Sequence, residues 1–190
     1  GAPLKLVNAF LPPDFYAEAP GGFMKGGGGH SNNTVDADHI DGMHEGPQGI
    51  MAFKDYDKAK AYAQKVNKPL FVDFTGWGCV NCRKMEENVW KDERVHQRIR
   101  DNVVLISLYV DERTNLPKEE QYVSDITGRK IKNIGNKWSE FQEVNFKEVS
   151  QPLYVILGHD DLMPLVEKNA YNLDVEAYID WLDRGVAAFK

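Results

Sequence analysis

The sequence predicts an α/β domain with a mixed central sheet and helices on both faces. Two short, largely apolar runs, 70–75 and 103–110, have the length and composition of strands that are buried on both sides. Apolar residues recur at helical spacing over about 174–189, which predicts a long amphipathic helix. The predicted order is β-α-β-α-β, then an insertion, then β-β-α, and strands that alternate with helices favour such a layered sheet.

The individual elements follow from local signals. Asp55 is a suitable N-cap for a helix over 56–66. In the first half, we expect a strand at 50–53, that helix, the strand 70–75, helices at 79–90 and 92–100, and the strand 103–110. In the second half, we expect a hairpin around Thr127-Gly128, a helix at 136–146, strands at 153–157 and near 162–167, and the last helix.

Cys79 and Cys82 are the two cysteines of the chain, three residues apart between a predicted strand and a predicted helix. Unpaired N–H groups and the macrodipole at a helix N-terminus favour negative charge. We therefore expect Cys79 to be a nucleophilic thiolate with a lowered pKa and Cys82 to be its resolving partner. Two cysteines exclude a four-cysteine zinc site, and we expect no metal. The alternative is an inert surface disulfide, although so short a loop gives little entropic stabilisation.

Charge and composition exclude several partners. The chain has 190 residues and a net charge of −6, so it lacks the basic footprint of a nucleic-acid-binding protein. Its apolar runs are too short to cross a bilayer, so we expect no direct membrane insertion. Residues 1–49 are rich in glycine and polar side chains, which predicts an irregular arm or linker ahead of a domain at 50–190.

The element order, and the segment Asp73-Phe-Thr-Gly-Trp-Gly-Cys-Val-Asn-Cys-Arg-Lys-Met-Glu86, resemble the thioredoxin fold over about residues 50–190. Within that fold, the segment is similar to the C-terminal domain of DsbD-type thiol:disulfide interchange proteins, in the form found in the Bacteroides group. The resemblance implies a periplasmic domain that residues 1–49 tether to the inner membrane. It also implies electron flow from a membrane electron-donor domain of the parent protein to envelope thiol-disulfide proteins, including those that serve cytochrome c maturation. No organic cofactor or metal is implied.

The resemblance also implies roles for particular residues. Asp73 matches the acid that thioredoxins bury beneath the second cysteine, and Glu86 matches a second acid of DsbD-type domains, on the helix face of Cys82. Buried acids there would have raised pKa values and could relay the proton of the resolving thiol. Pro152 matches a cis-proline that faces the dithiol and leaves Gln151 free to pair with an extended partner segment. The alternatives are a solvated carboxylate at Glu86 and a trans bond at Pro152.

Three positions depart from the thioredoxin pattern. Gly78 stands where an aromatic residue usually precedes the first cysteine, and Trp77 lies one place earlier; we expect both to contact substrate. Ser107 replaces a lysine of the central sheet, and Val80-Asn81 separates the cysteines. These differences affect the redox potential, because neighbouring residues tune thiolate stability.

Two functional alternatives stay open at this point. A dithiol oxidant or isomerase would have the same motif and a different redox potential. A non-catalytic interaction module would use the scaffold and the arm to bind partners. The insertion, at about 113–150, either shapes the surface beside the dithiol or only packs on the domain.

Overall fold

The computed structural model describes residues 40–189, so the part of the predicted arm at 1–39 lies outside the described residues. The strands, in chain order, are β1 (Met43–Glu45), β2 (Met51–Phe53), β3 (Leu70–Thr75), β4 (Val104–Tyr109), β5 (Tyr122–Val123), β6 (Lys130–Ile131) and β7 (Leu153–Leu157). The helices are α1 (Tyr56–Val66), α2 (Val80–Met85), α3 (Glu93–Asn102), α4 (Ile134–Phe146) and α5 (Val175–Ala188).

The central sheet of the described chain has five strands in the order β1-β2-β4-β3-β7. β3 pairs parallel with β4 and antiparallel with β7, while β1 pairs antiparallel with β2 at the edge. All six residues of β3 and of β4 are buried, as expected for strands that helices cover on both sides. The predicted mixed sheet is therefore confirmed.

Each face of the sheet carries its own core. On one face, α2, α3 and α5 cover an aromatic cluster that includes Phe71, Trp90, Tyr154 and Trp181. On the other face, α1 and α4 cover a second cluster that includes Phe74. β3 contributes to both clusters because its side chains alternate between the faces. β3, the strand that leads to the cysteines, is therefore packed on both sides.

Local signals set the helix starts. The side chain of Asp55 accepts a hydrogen bond from the Lys58 N–H, which confirms the predicted N-cap of α1. The helix that was expected to run over 79–90 is interrupted after Met85 by a π-helical turn at Glu86–Trp90. In that turn the Lys91 N–H donates to the Glu86 carbonyl at 3.1 Å. Such turns are frequent at functional sites.

The prediction of an irregular chain up to residue 49 is wrong for residues 43–49. β1 joins the sheet there, and a 3₁₀ turn at Pro47–Gly49 links it to β2. The Gly46 N–H donates to the Ile50 carbonyl at 2.8 Å and closes this connection. A strand of three residues has too few positions for an alternating pattern, and the glycines that indicated a linker supply the turn instead.

The prediction of a strand near 162–167 is also wrong. Within residues 40–189, this segment meets β7 through isolated bridges, Leu157 with Pro164 and Tyr154 with Asn169. Pro164 has no N–H to donate, so it interrupts a regular ladder. The predicted hairpin of the insertion is confirmed by the antiparallel pairing of β5 with β6, and the predicted helix at 136–146 is confirmed by α4.

The close approach of α4 to the end of β4 gives a first test. A Cβ on Gly135 would lie 2.6 Å from the Val110 carbonyl oxygen and 2.7 Å from that of Glu112. Glycine-to-alanine changes inside helices usually stabilise by about 0.5–1 kcal/mol. Because backbone must move here, we expect Gly135→Ala to lower the free energy of unfolding by about 1–3 kcal/mol, measured by denaturant titration.

Gly158→Ala is the control, since its Cβ would meet nothing nearer than Leu165 Cδ2 at 3.7 Å. This variant should unfold close to the wild type. A Gly135→Ala protein as stable as the wild type would contradict the close packing of α4 on β4.

Candidate active site

Cys79 and Cys82 form a disulfide at the N-terminus of α2, with their Cα atoms 5.3 Å apart. Cys79 is the N-cap residue, and its Sγ accepts a hydrogen bond from the Cys82 N–H at 3.2 Å. Cys79 is half-buried, whereas Cys82 is 1% exposed. Any partner sulfur therefore meets Cys79 first, and Cys82 lies behind it against the core.

The loop between β3 and α2 is held by the carboxylate of Asp111. Its two oxygens accept the N–H groups of Trp77 at 2.8 Å and of Gly78 at 2.9 Å. A Cβ on Gly76 would lie 3.0 Å from this carboxylate, so the loop passes very close to it. Hydrogen bonds to a charged acceptor are strong, and two of them fix the residues that directly precede Cys79.

Trp77 projects from this loop with 55% of its surface exposed. Its ring stacks on Tyr109 with centroids 4.0 Å apart, and its indole N–H donates to Glu112 at 2.9 Å. Hydrogen bonds from Thr114, together with that from Trp77, lower the pKa of Glu112 to about 2. The Lys54 ammonium lies 5.1 Å from the centre of the Trp77 ring. The indole is thus a rigid, exposed apolar surface beside the dithiol.

An open cleft of about 400 Å³ lies beside Cys79. Its lining residues are Gly76, Gly78, Cys79, Val80, Asn81, Val110, Asp111 and Gln151. The Gln151–Pro152 bond is cis, as predicted, and Pro152 is buried at the start of β7. The structure therefore brings together Gly78, Cys79 and Gln151 at one cleft. Their roles in catalysis and substrate binding stay predictions.

Two buried acids lie on the α2 side of the sheet. Asp73 is 2% exposed in the middle of β3, and burial, followed by the charge of Glu86, raises its pKa well above the usual value. Glu86 is 6% exposed at the start of the π-helical turn, where burial also raises its pKa. The Glu86 N–H donates to the Cys82 carbonyl, which places the two residues one helical turn apart. The alternative of a solvated Glu86 is wrong.

Arg83 supplies the positive charge at these acids. Its Nη2 lies 2.9 Å from Glu86 Oε1, in an ion pair without hydrogen-bond geometry, and donates to Thr75 Oγ1 at 3.3 Å. Its charge lowers the pKa of both acids, against the larger effect of burial. Ser107 pairs with Asp73 across β3 and β4, where thioredoxins carry a lysine. The positive charge beside these acids thus comes from α2.

Sequence reasoning missed Arg83, Asp111 and Tyr109. The spacing of Arg83 and Glu86 by three residues in a helix is a usable signal for an ion pair. By contrast, Asp111 lies 33 and 34 positions after the amides that it binds. Its role follows from the parallel pairing of β3 with β4, which brings the ends of both strands to the same edge.

Fold and site together define the class. A mixed sheet with helices on both faces carries a Cys-x-x-Cys pair at the start of the helix after β3, and buried acids lie on the core side. This is a thioredoxin-like fold that carries a Cys-x-x-Cys disulfide at the N-terminus of a helix.

Comparisons with known proteins support this class. Residues 50–128 match the family described as thioredoxin-like. The thiol:disulfide interchange protein DsbD of two Campylobacter jejuni strains is 35% identical over 60 residues. A solved structure of the oxidoreductase DsbH superposes with a TM-score of 0.51 at 14% identity, covering 83% of this chain and 95% of that one. At that identity the structural likeness establishes the fold.

The extent of these matches is limited. The match with DsbD covers 32% of this chain and 10% of the relatives' length. The chain thus carries a thioredoxin-like domain that is related in sequence to part of a much longer protein.

The raised pKa of Asp73 predicts a pH dependence of stability. An acid whose pKa is higher in the folded state than in the unfolded state binds extra protons when folded. The free energy of unfolding then falls as pH rises, from about pH 3.9 up to the raised pKa, by up to about 1.4 kcal/mol per pH unit. We expect Asp73→Asn to flatten this fall and to be more stable than the wild type at neutral pH, measured by denaturant titration of the oxidised protein.

Asp101→Asn is the matched control, because that exposed carboxyl has its pKa lowered by Arg100. The free energy of unfolding of this variant should still fall as pH rises, as in the wild type. Identical pH profiles for Asp73→Asn and the wild type would contradict the account of a buried, protonatable Asp73.

Proposed function

We propose that this domain is an envelope thiol:disulfide oxidoreductase that passes electrons from a membrane partner to disulfides of other proteins. The observation that carries the proposal is the pairing of a half-buried Cys79 on an open cleft with a buried Cys82 behind it. A reactive sulfur must be accessible, while its resolving partner needs to reach only the first sulfur. A disulfide that merely stabilised the fold would require neither the cleft nor the buried acids.

The proposed reaction moves two electrons from the dithiol to a partner disulfide. The Cys79 thiolate attacks one partner sulfur, the partner S–S bond breaks, and the released partner thiolate takes up a proton. Cys82 then loses its proton and attacks Cys79 Sγ. The mixed disulfide breaks, the second partner thiolate leaves and is protonated, and the Cys79–Cys82 bond remains.

The buried acids are suited to the proton of Cys82. An acid with a raised pKa holds or accepts a proton near neutral pH, which a solvated carboxyl does not. Asp73 and Glu86 are the candidates, and the charge of Arg83 opposes the effect of burial on the pKa of both acids. In this proposal Asp73 and Glu86 act as the proton relay during resolution.

The direction of electron flow and the cellular setting rest on the similarity to DsbD. DsbD is named a thiol:disulfide interchange protein, and the proposed parent is a DsbD-related membrane protein of the Bacteroides type. In residues 40–189, no helix has the length and apolarity needed to span a bilayer. The proposed tether is the chain before β1, and the proposed partners are envelope thiol-disulfide proteins, including those of cytochrome c maturation.

Trapping of mixed disulfides tests the proposed roles of the cysteines. With Cys82 replaced, the mixed disulfide between Cys79 and a partner has no resolving thiol and should accumulate. We expect reduced Cys82→Ser to form a covalent complex with a protein disulfide such as insulin, seen on non-reducing gels and reversed by dithiothreitol. Cys79→Ser is the matched control, and it should form at most about a tenth as much, since Cys82 is buried.

Wild-type protein should reduce insulin catalytically with dithiothreitol as electron source. Complexes that form through Cys82 but not through Cys79 would reverse the assignment. Failure of the wild type to reduce insulin would favour the non-catalytic interaction module instead.

A further inference from the structure

Gln142 is a fully buried polar residue of the insertion, on α4, with 0% of its surface exposed. A buried amide requires hydrogen-bond partners, because an unsatisfied one costs the desolvation of its polar atoms. Its partners therefore reveal what this part of α4 holds in place.

Both partners lie directly before Pro152. Gln142 Nε2 donates to the Ser150 carbonyl oxygen at 2.6 Å, and Gln142 Oε1 accepts from Gln151 Nε2 at 3.3 Å. Gln151 in turn lines the cleft beside Cys79. A single side chain of the insertion thus fixes both the backbone and the side chain of the segment that faces the dithiol.

Other contacts hold different parts of the insertion. The Lys168 ammonium donates to the Phe146 carbonyl at 2.6 Å and pairs with Glu148 at 2.9 Å, which secures the start of the loop after α4. The second buried polar side chain of α4, Glu140, accepts from the hydroxyls of Tyr122 and Thr127 in the hairpin. The role of Gln142 at the cleft is therefore distinct from the role of Glu140.

We infer that Gln142 is a positioning residue that holds Gln151 in the geometry needed to dock an extended segment of a partner protein. This inference rests on the proposed function, in which a protein disulfide enters the cleft. It gives the insertion a part in substrate specificity, because a small disulfide that needs no docked chain should react without this help. The partner would be recognised by main-chain pairing beside Gln151, a form of strand addition.

Gln142→Met keeps the approximate volume of the side chain and removes both hydrogen bonds. We expect the KM for insulin to rise about tenfold, as the loss of two ordinary hydrogen bonds allows. The kcat for insulin should stay within about twofold of the wild type, because it refers to the chain once it is docked. The rate with the small disulfide 5,5′-dithiobis(2-nitrobenzoate) should also stay within about twofold, because that reagent has no chain to dock.

Glu140→Met is the matched control, since it removes two hydrogen bonds from an equally buried side chain of the same helix. It should leave the KM for insulin unchanged while lowering the melting temperature. In a double-mutant cycle, the effects of Gln142→Met and Gln151→Met on KM should be less than additive, because the first acts through the second. If Gln142→Met does not fold, Gln151→Met alone must show the rise in KM for insulin.

The inference is overturned if Gln142→Met has the wild-type KM, if both disulfides are slowed equally, if Glu140→Met raises KM as much, or if the cycle is additive. These outcomes leave the proposed function intact as long as the wild type reduces insulin. A wild-type protein that reduces the small disulfide but not insulin would remove both the docking role and the proposed function.

Discussion

A carboxyl group buried in the middle of β3, an inner strand of the sheet, is the constraint on which the site depends. Asp73 lies in a strand whose six residues are all buried, where an isolated charge is costly. Its raised pKa shows how the domain reduces that cost: the carboxyl takes up a proton at a higher pH than it would in water. Glu86 shares the same region and has the same direction of shift. Buried acids with perturbed pKa values behind an accessible sulfur support the proposal of a reaction centre over a structural disulfide.

The dithiol itself is held by contacts from outside its own helix. Asp111, at the end of β4, fixes the loop before Cys79 through two N–H groups. Gln142, in the insertion, fixes the segment before Pro152. These two polar contacts hold residues that line one cleft. The parallel pairing of β3 with β4 makes the first contact possible, and the packing of α4 on the sheet makes the second possible.

The parts of the fold that the sequence predicted well are those with local signals. The start of α1 follows from Asp55, and the burial of β3 follows from its apolar run, because each depends on a few neighbouring residues. β1 was missed because three residues are too few to show an alternating pattern. The strand expected near 162–167 does not form, because Pro164 lacks the N–H that a regular ladder needs even though the segment is apolar.

The same distinction applies to the site. The cysteines, the buried acids and the cis bond at Pro152 were predictable because a continuous segment and a family resemblance point to them. Arg83, Asp111 and Gln142 were missed for a different reason. Arg83 resembles an ordinary solvated cation in a helix, and the other two act through partners that tertiary packing brings close. A single sequence carries no signal for which buried amide meets which loop.

The redox potential of the Cys79–Cys82 couple tests the central claim most directly, because it states which way electrons flow. The measurement equilibrates the protein with glutathione buffers and counts free thiols by alkylation and mass spectrometry. The account predicts a reducing couple, between about −270 and −200 mV, in the range of thioredoxins and glutaredoxins. A potential near about −120 mV, in the range of strong dithiol oxidants, would contradict it.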